Sequence, residues 1–266
     1  MDIDQLLERT QWDLFWLPSG VTVIDRPELL LFSHPQGAQV LNAVHRLRAS
    51  DRHLPSLIDE ISHHHSGSPS RVQLYPSNIR PALSRALADA GYALTHEHLA
   101  YTLTTDARRP PLPDELEVRC VDTIERLRDA CRVRGSAFGE DDALPEEEVL
   151  QRYLADCTGD RARVHRFVVY DRPSGQPISA GGMTTFPKLS FGFLWSGGTV
   201  PEARLRGAYT AAVSARMERA AALGIERIGL YARAGSSAPI LARQGFTQHG
   251  PMHHWIRPSS QHKEGS

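Results

Sequence analysis

The sequence has few cysteines, and this scarcity argues against disulfide-based and zinc-based folds. Cys120, Cys131 and Cys157 are the three cysteines among 266 residues. An odd number of cysteines does not build a disulfide framework, and these spacings match no zinc motif. We therefore predict reduced thiols and a cytoplasmic protein. The opening residues, Met-Asp-Ile-Asp-Gln, favour the same compartment, because they lack the basic and apolar regions of a signal peptide.

The chain also lacks an excess of either charge and lacks long apolar runs. Lys plus Arg number 30 and Asp plus Glu number 31, so composition gives no case for binding nucleic acid or an anionic membrane. No apolar run approaches the ~20 residues that span a bilayer. The hydrophobic content of 41% and charged content of 23% are typical of a soluble globular protein. At this length we expect two domains.

A proline-rich segment predicts where the two domains meet. Residues 105–114 are polar and charged and contain three prolines, which disfavour both a helix and a central strand. We predict an N-terminal domain over residues 1–107, a linker over 108–113 and a C-terminal domain over 114–258. The polar residues 259–266 are expected to be a disordered tail.

Apolar periodicity and turn residues predict an α/β architecture for the C-terminal domain. In the longest predicted helix, Tyr209, Val213, Met217 and Ala220 form one apolar stripe, and Arg216 is expected to be solvated. Strands, helix and strand again indicate a mixed sheet layered with helices. The predicted strands are 116–121, 164–170, 177–186, 189–199 and 227–232, and the predicted helices are 124–138, 145–157, 209–223 and 236–244.

The most informative segment lies where a strand leads into the helix at 209. A helix start directs unpaired N–H groups and a positive dipole end outward, which suits a phosphate group. Gly207 lets the main chain approach such a ligand closely, and Arg204 and Arg206 add positive charge beside it. This segment therefore predicts a phosphate-binding helix start.

These residues resemble the acyl-CoA-binding core of the GNAT superfamily of N-acyltransferases. The family signature, Arg/Gln-x-x-Gly-x-Gly/Ala, is similar to residues 204–209, and a second landmark, Tyr-Glu-x-Leu-Gly-Phe, is similar to residues 241–246. The resemblance covers the C-terminal domain well and residues 1–107 loosely. It implies a mixed, mostly antiparallel sheet layered with helices.

The resemblance also implies an activity: transfer of an acetyl or other short acyl group from CoA to an amine. Acetyl-CoA, or another short acyl-CoA, would be the co-substrate, and the acceptor would be a small-molecule or peptide amine of unknown identity. A backbone N–H near Val200 would polarise the thioester carbonyl. Whether the chain forms a homodimer stays open. The residues implied in cofactor binding are Thr199, Val200, Arg204, Leu205, Arg206, Gly207, Ala208, Tyr209, Thr210 and Ser236.

Two positions depart from the family pattern. Tyr209 stands where the family usually has Gly or Ala, and it could crowd the cofactor, contact it or belong to the core. Leu241 replaces the tyrosine that protonates the departing thiolate in many members, which leaves Ser237 and Tyr231 as candidate helpers. Ser237 could equally serve as a helix N-cap. Glu140 is a candidate acceptor of the amine's proton, although an acidic loop can also be simply solvated.

An imperfect internal repeat links the two predicted domains. Residues 74–92 and residues 230–246 each read as a strand, a loop, a helix and a glycine followed by an aromatic residue. Residues 1–107 would then be a degenerate copy of the fold. That copy lacks the phosphate-binding element, because residues 36–50 offer only an amphipathic helical pattern of Val40, Val44 and Leu47. Two coincidentally similar units remain the alternative.

Other side chains and other functions complete the sequence-based hypotheses. The run His63-His64-His65 predicts a solvated loop rather than a metal site, because consecutive residues cannot all face one ion. Trp195 could line the acceptor pocket or pack in the core. The chain could alternatively be a catalytically silent protein that binds acyl-CoA or a partner. A transferase dependent on aminoacyl-tRNA is a third reading, which the lack of a basic stripe disfavours.

Overall fold

The computed structural model describes residues 2–35, 37–139, 144–159, 162–233, 235 and 237–259. The helices in this part of the chain are α1 Ile3–Thr10, α2 Leu54–His64, α3 Pro81–Asp89, α4 Ile124–Phe138, α5 Glu147–Cys157, α6 Ala208–Ala222 and α7 Ala238–Arg243. The strands are β1 Thr22–Arg26, β2 Leu29–Ser33, β3 Ala43–Leu47, β4 Ser70–Leu74, β5 Ala93–Thr104, β6 Leu116–Cys120, β7 Val164–Asp171, β8 Pro177–Phe186, β9 Phe191–Thr199, β10 Arg227–Arg233 and β11 Thr247–Arg257.

The chain forms two compact units. The first unit contains residues 1–100, 231–239 and 248–266, and the second contains residues 101–230 and 240–247. These units do not coincide with the predicted domains, because β11 belongs to the first unit, where it pairs with β4 in antiparallel register. Linker composition does not reveal which strand edge a terminal segment will join. The predicted linker residues 108–113 also lie within the second unit.

The second unit is a mixed sheet with helices on both faces. Its strands follow the order β10-β9-β8-β7-β6, with the end of β5 beside β10. Neighbouring pairs from β6 to β9 are antiparallel, and β9 and β10 are parallel. Adjacent residues of a strand point to opposite faces. Arg166 lies over Tyr153 of α5, whereas Phe167 faces Ala211 of α6, so α5 and α6 cover opposite faces.

The first unit contains a similar parallel pair. Its strands follow the order β1-β2-β3-β4-β11-β5, and β3 and β4 are parallel and joined by α2. One apolar core lies between this sheet and helices α2 and α3. The fully buried members of this core include Leu29, Leu31, Val44, Leu47, Ile61, Val72, Leu74, Leu83 and Leu87.

Two stretches of the chain use the same succession of elements. In the first stretch, β3-α2-β4-α3-β5 follow one another, and the corresponding succession later in the chain is β9-α6-β10-α7-β11. Each includes a parallel strand pair joined by a helix, and each final helix is followed by a left-handed glycine, Gly91 at φ +83° and Gly245 at φ +85°. This order agrees with the predicted repeat. Descent of both halves from one duplicated fold stays a prediction.

Two local predictions in the first unit are wrong. Residues 43–47 form strand β3 instead of the predicted helical pattern, because Val44 pairs with Val72 in the sheet. The histidine run does not lie in a solvated loop. His63 and His64 end α2, and His65 is fully buried, with Nδ1 2.6 Å from the Ser70 hydroxyl and Nε2 3.1 Å from the Phe32 carbonyl oxygen.

No described helix is long and apolar enough to cross a membrane. The described residues also include no group of three or more His, Cys, Asp or Glu side chains arranged to hold a metal ion.

Candidate functional site

The loop between β9 and α6 holds an unusual backbone conformation. Leu205 has φ +66° although it is not glycine, and its apolar side chain is fully exposed. Gly207 has φ +81° and forms the N-cap of α6. A non-glycine residue in the left-handed region is strained, and such strain concentrates at ligand sites. Alternating left-handed residues also turn successive N–H groups toward one concavity, which favours an anion.

The start of α6 carries backbone N–H groups that have no acceptor inside the helix. Among the described residues no side chain caps this helix end. The first intrahelical bond runs from the Ala211 N–H to the Gly207 carbonyl oxygen at 2.9 Å. The N–H groups of Ala208, Tyr209 and Thr210 therefore lack an acceptor within the helix. A phosphate group would supply oxygen acceptors and would be favoured by the helix dipole.

The two arginines of the motif differ in their surroundings. Arg206 forms an ion pair with Asp171 at the end of β7. The pKa of Asp171 is below its usual value, because the Ser174 hydroxyl donates a hydrogen bond to it and the Arg206 guanidinium lies beside it. Arg204 is exposed and has no ion pair among the described residues. Arg204 is thus the motif arginine available to a ligand, and Arg206 anchors the loop to the β7–β8 hairpin.

Residues flanking this loop are held by the neighbouring strand. The Thr199 hydroxyl lies 2.9 Å from the Ser179 hydroxyl, and the Thr210 hydroxyl accepts a 2.8 Å hydrogen bond from Gln244. The Val200 N–H donates to the Ile178 carbonyl oxygen at 3.0 Å. That donor is therefore already used within the sheet. A backbone N–H near Val200 that polarises a thioester carbonyl stays a prediction.

A β-bulge interrupts β9 just before the loop. Gly181 of β8 faces two residues of β9, Ser196 and Gly197, and Ser196 has φ +48°. A bulge of this kind bends the strand and breaks the regular pairing. Trp195 lies next to it, partly exposed, with its indole N–H donating to Thr184 at 3.0 Å. Trp195 therefore packs along the sheet surface on the face that α5 covers, because Arg166 stacks over its ring.

Arg216 is buried beneath the bulge, and its predicted solvated position is wrong. Its relative exposure is 1%. Nε donates to the Ala212 carbonyl oxygen at 2.9 Å and one terminal nitrogen donates to the Gly182 carbonyl oxygen at 3.2 Å, while the other terminal nitrogen has no partner among the described residues. Burial lowers the pKa of this guanidinium.

Glycines make room for that guanidinium. A Cβ at Gly181 would lie 2.8 Å from the Arg216 guanidinium carbon. On the other side, a Cβ at Gly197 would lie 3.1 Å from the Tyr209 ring and 3.3 Å from an Arg216 nitrogen. Tyr209 therefore points inward against β9 and adjoins Arg216. The sequence signal for this burial is the pair of glycine doublets in β8 and β9, which leave space for a large buried side chain.

An apolar recess continues from the helix start along α6. Its volume is about 610 Å³. Gly207 and Thr210 line one end, Ala222 lines the other, and the prolines of residues 110–113 form a wall. The helix contributes small side chains here, which leave the recess open beside the proposed phosphate site.

The structure describes only some of the remaining sequence-based candidates. Glu140 and Ser236 lie outside the described residues. Ser237 and Tyr231 belong to the first unit, where burial raises the pKa of the Tyr231 phenol well above its usual value. Leu241 is fully buried in the second unit. The residues that the structure does bring together are Thr199, Val200, Arg204, Leu205, Arg206, Gly207, Ala208, Tyr209 and Thr210.

Comparison with known proteins identifies the fold. No protein-family model matches the sequence, and no curated protein shows a significant match. Among solved structures, a GCN5-related N-acetyltransferase from Kribbella flavida is 15% identical with a TM-score of 0.68, covering 96% of this chain and 97% of its own. Another from Sphaerobacter thermophilus is 15% identical with a TM-score of 0.63, covering 88% and 82%.

A third similar structure is a tandem GNAT protein from the clavulanic acid biosynthesis pathway. It is 14% identical with a TM-score of 0.59, and the match covers 96% of this chain and 88% of that protein. The mixed, mostly antiparallel arrangement of strands layered with helices agrees with these neighbours. The chain therefore has the fold of the GCN5-related N-acetyltransferases.

Proposed function

We propose that this protein binds acetyl-CoA, or another short acyl-CoA, at the start of α6 and transfers the acyl group to an amine. The uncapped helix start carries this proposal. The N–H groups of Ala208 and Thr210 lack intrahelical acceptors, and the chain has the GNAT fold. The CoA diphosphate supplies the negative charge and the oxygen acceptors that such a helix end favours.

The equivalent helix of the first unit is a poor match for a diphosphate. Helix α2 also follows the first strand of a parallel pair, but Pro55 occupies its first turn and has no N–H to donate. The preceding turn contains Asp51, whose carboxylate would repel a phosphate group. Its contact with Arg80 offsets that charge only in part. We propose that residues 1–107 do not bind the cofactor.

The part of β3 after Val44, where its pairing with β4 ends, is also covered by its own chain. Trp12 donates its indole N–H to the His45 carbonyl oxygen at 3.2 Å. The His45 Nδ1 lies 2.6 Å from the Gln11 carbonyl oxygen. The segment after α1 therefore satisfies backbone and side-chain groups along this strand. We expect one acyl-CoA per chain, which a calorimetric titration measures as a stoichiometry of one.

The proposed chemistry is direct acyl transfer. The neutral amine attacks the thioester carbonyl carbon, a C–N bond forms, the C–S bond breaks, and CoA leaves as a thiolate. The amine loses one proton, and Glu140 or a chain of water molecules is proposed to accept it. Because a thiol with a pKa near ~8.5 leaves readily as a thiolate, the replacement of the usual tyrosine by Leu241 need not prevent the reaction. The residues of the α6 start contribute by holding the co-substrate in place.

The first test is the substitution Gly207→Glu. It would place a side chain and a negative charge at the helix start, where we expect the diphosphate. Calorimetry should show the affinity for acetyl-CoA reduced at least tenfold, about 1.4 kcal/mol of binding free energy.

A matched control separates this effect from backbone strain. Gly175 in the β7–β8 turn also has a positive φ, +68°, and a Cβ at this position would have no atom within 4 Å. Gly175→Glu should therefore carry similar strain and leave the affinity for acetyl-CoA unchanged. Equal affinities in folded Gly207→Glu and Gly175→Glu proteins would remove the α6 start from consideration.

A catalytically silent acyl-CoA-binding protein is the second candidate function. The inward position of Tyr209 and the buried Leu241 favour it, because both positions depart from the family pattern. A panel of amines assayed for release of free CoA distinguishes the two functions. Acetyl-CoA binding without release for any amine would support the silent protein, and release with one class of amine would support the transferase.

A further inference from the structure

We propose that the first unit contains a binding site for an oxyanion, a carboxylate or a phosphate group, on the sheet face that presents Arg71, His96, His98 and His254. We call these four residues the basic cluster. They lie on the adjacent strands β4, β11 and β5. The proposal uses residues of the first unit alone and holds independently of the acyl-transfer reaction.

Arg71 provides a cation whose charge the described residues do not balance. Arg71 is partly exposed, whereas its Nε is a buried donor without a hydrogen-bond partner among the described residues. Among the described residues no carboxylate is ion-paired with it. A buried charge without a partner is unfavourable, since desolvation is not offset by attraction. An oxyanion beside the guanidinium would offset that cost through charge-assisted hydrogen bonds.

The histidines add neutral donors next to this cation. The rings of His98 and His254 have centroids 4.8 Å apart, and His96 lies 6.0 Å from His98 and 6.3 Å from His254. The Nδ1 of His98 is buried and has no partner among the described residues, whereas the Nε2 of His254 contacts Gln73 at 3.1 Å. His96 is exposed, so the cluster reaches the protein surface.

Burial keeps these imidazoles neutral at pH 7. Burial, with the charge of Arg71 as a smaller cause, lowers the pKa of His98 to about 4 and that of His254 to about 2. A bound oxyanion would favour the protonated imidazole and raise both pKa values. Binding of the anion is therefore expected to take up protons and to tighten as the pH falls toward the pKa of His98 in the unbound protein.

The other ionisable groups around the cluster do not replace such a ligand. On β3, His45 is buried with an unpartnered Nε2, and from β10 the cation Arg233 further lowers the pKa of His98. The carboxylate of Glu97 contacts His253 at 3.1 Å, and both residues neighbour cluster members in sequence, so they face the opposite side of the sheet. Glu8 of α1 is engaged by Arg48 and Ser77.

The test is a titration of the full chain with acetate, inorganic phosphate and chloride at constant ionic strength, followed by calorimetry and thermal unfolding. We expect saturable binding of acetate or phosphate and an upward shift of Tm that chloride does not produce. Repeating the titration in two buffers of different ionisation enthalpy should reveal proton uptake. Binding and a Tm shift with acetate would identify the site as one for a carboxylate. The same result with phosphate would identify it as one for a phosphate group.

Variants assign the effect to the basic cluster. Arg71→Met removes the unpaired charge, so the protein should be at least as stable without anion, yet bind the anion at least tenfold more weakly. His98→Phe removes the imidazole donor and should weaken binding in the same direction, which keeps the test valid if Arg71→Met fails to fold. Arg80→Met removes an arginine of the same unit that is paired with Asp51, and should bind as the parent does.

Two results would overturn the proposal. The first is that neither oxyanion shifts Tm or binds more than chloride does in the parent protein. The second is that the anion response is unchanged in folded Arg71→Met or His98→Phe protein, which would place the bound anion elsewhere.

Discussion

Replacing Gly229 with alanine is expected to lower the free energy of unfolding by roughly 3 kcal/mol or more. Gly229 lies in β10, at the last position where β10 pairs in register with β9. A Cβ there would lie 2.7 Å from the Phe191 ring, 2.8 Å from the Tyr101 carbonyl oxygen and 3.0 Å from a Thr102 methyl carbon. A backbone oxygen cannot move aside without disturbing β5, so the clash is not relieved by a side-chain rotation.

Urea unfolding measures this effect, with Gly235→Ala as the control. A Cβ at Gly235 would have no atom of the described residues within 4 Å. We expect the control to stay within about 0.5 kcal/mol of the parent protein. A difference of less than 1 kcal/mol in the free energy of unfolding between Gly229→Ala and the control would contradict the close approach of Phe191 and Tyr101 to Gly229.

Lowering the pH from 7 to 5 is expected to destabilise the first unit strongly. Burial lowers the pKa of His45 to about 3 and that of His65 to about 4, from an ordinary value of 6.5. Below pH 6.5 the unfolded chain therefore binds protons at these two histidines that the folded chain does not bind. The contribution of these histidines to stability is complete above pH 6.5. It is lost as the pH falls toward their pKa values in the folded protein. Each histidine contributes about 1.4 kcal/mol per pH unit between pH 6.5 and pH 5, so the pair contributes roughly 4 kcal/mol over this window.

Urea midpoints measured from pH 7 to pH 5 provide the test. His45→Phe should reduce the slope of stability against pH by about 1.4 kcal/mol per unit, because it removes one of the buried histidines that take up a proton on unfolding. His63→Phe is the control, since His63 is exposed at the end of α2 and should leave the slope unchanged. A stability that stays flat from pH 7 to pH 5 would contradict the buried, neutral state of His45 and His65.

Local signals predicted the second unit well. The helix predicted over 124–138 is confirmed as Ile124–Phe138, because Thr123 caps its first turn and Gly139 takes the left-handed conformation after it. The long helix is also confirmed, ending with Gly224 at φ +70°. The GNAT fold itself was predictable, because the motif at 204–209 and the segment at 241–246 occur in the correct order of strands and helices.

Features that depend on distant parts of the chain were not predictable in this way. Helical periodicity predicts that Arg216 is exposed. It is buried because the glycines of β8 and β9 leave room for its guanidinium group. His65 looks like part of a polar run, but its partners are Ser70 and a carbonyl oxygen of β2. The membership of β11 in the first unit depends on which strand edge it meets. Burial and pairing of this kind follow from tertiary contacts, which local patterns do not encode.

The most direct test of the central claim is a crystal structure of the protein with acetyl-CoA bound. We predict one ligand per chain, with its diphosphate oxygens within hydrogen-bond distance of the N–H groups of Ala208, Tyr209 and Thr210. Arg204 should approach the ligand, while Arg206 keeps its contact with Asp171. A diphosphate bound in the first unit, or bound away from the start of α6, would contradict the account.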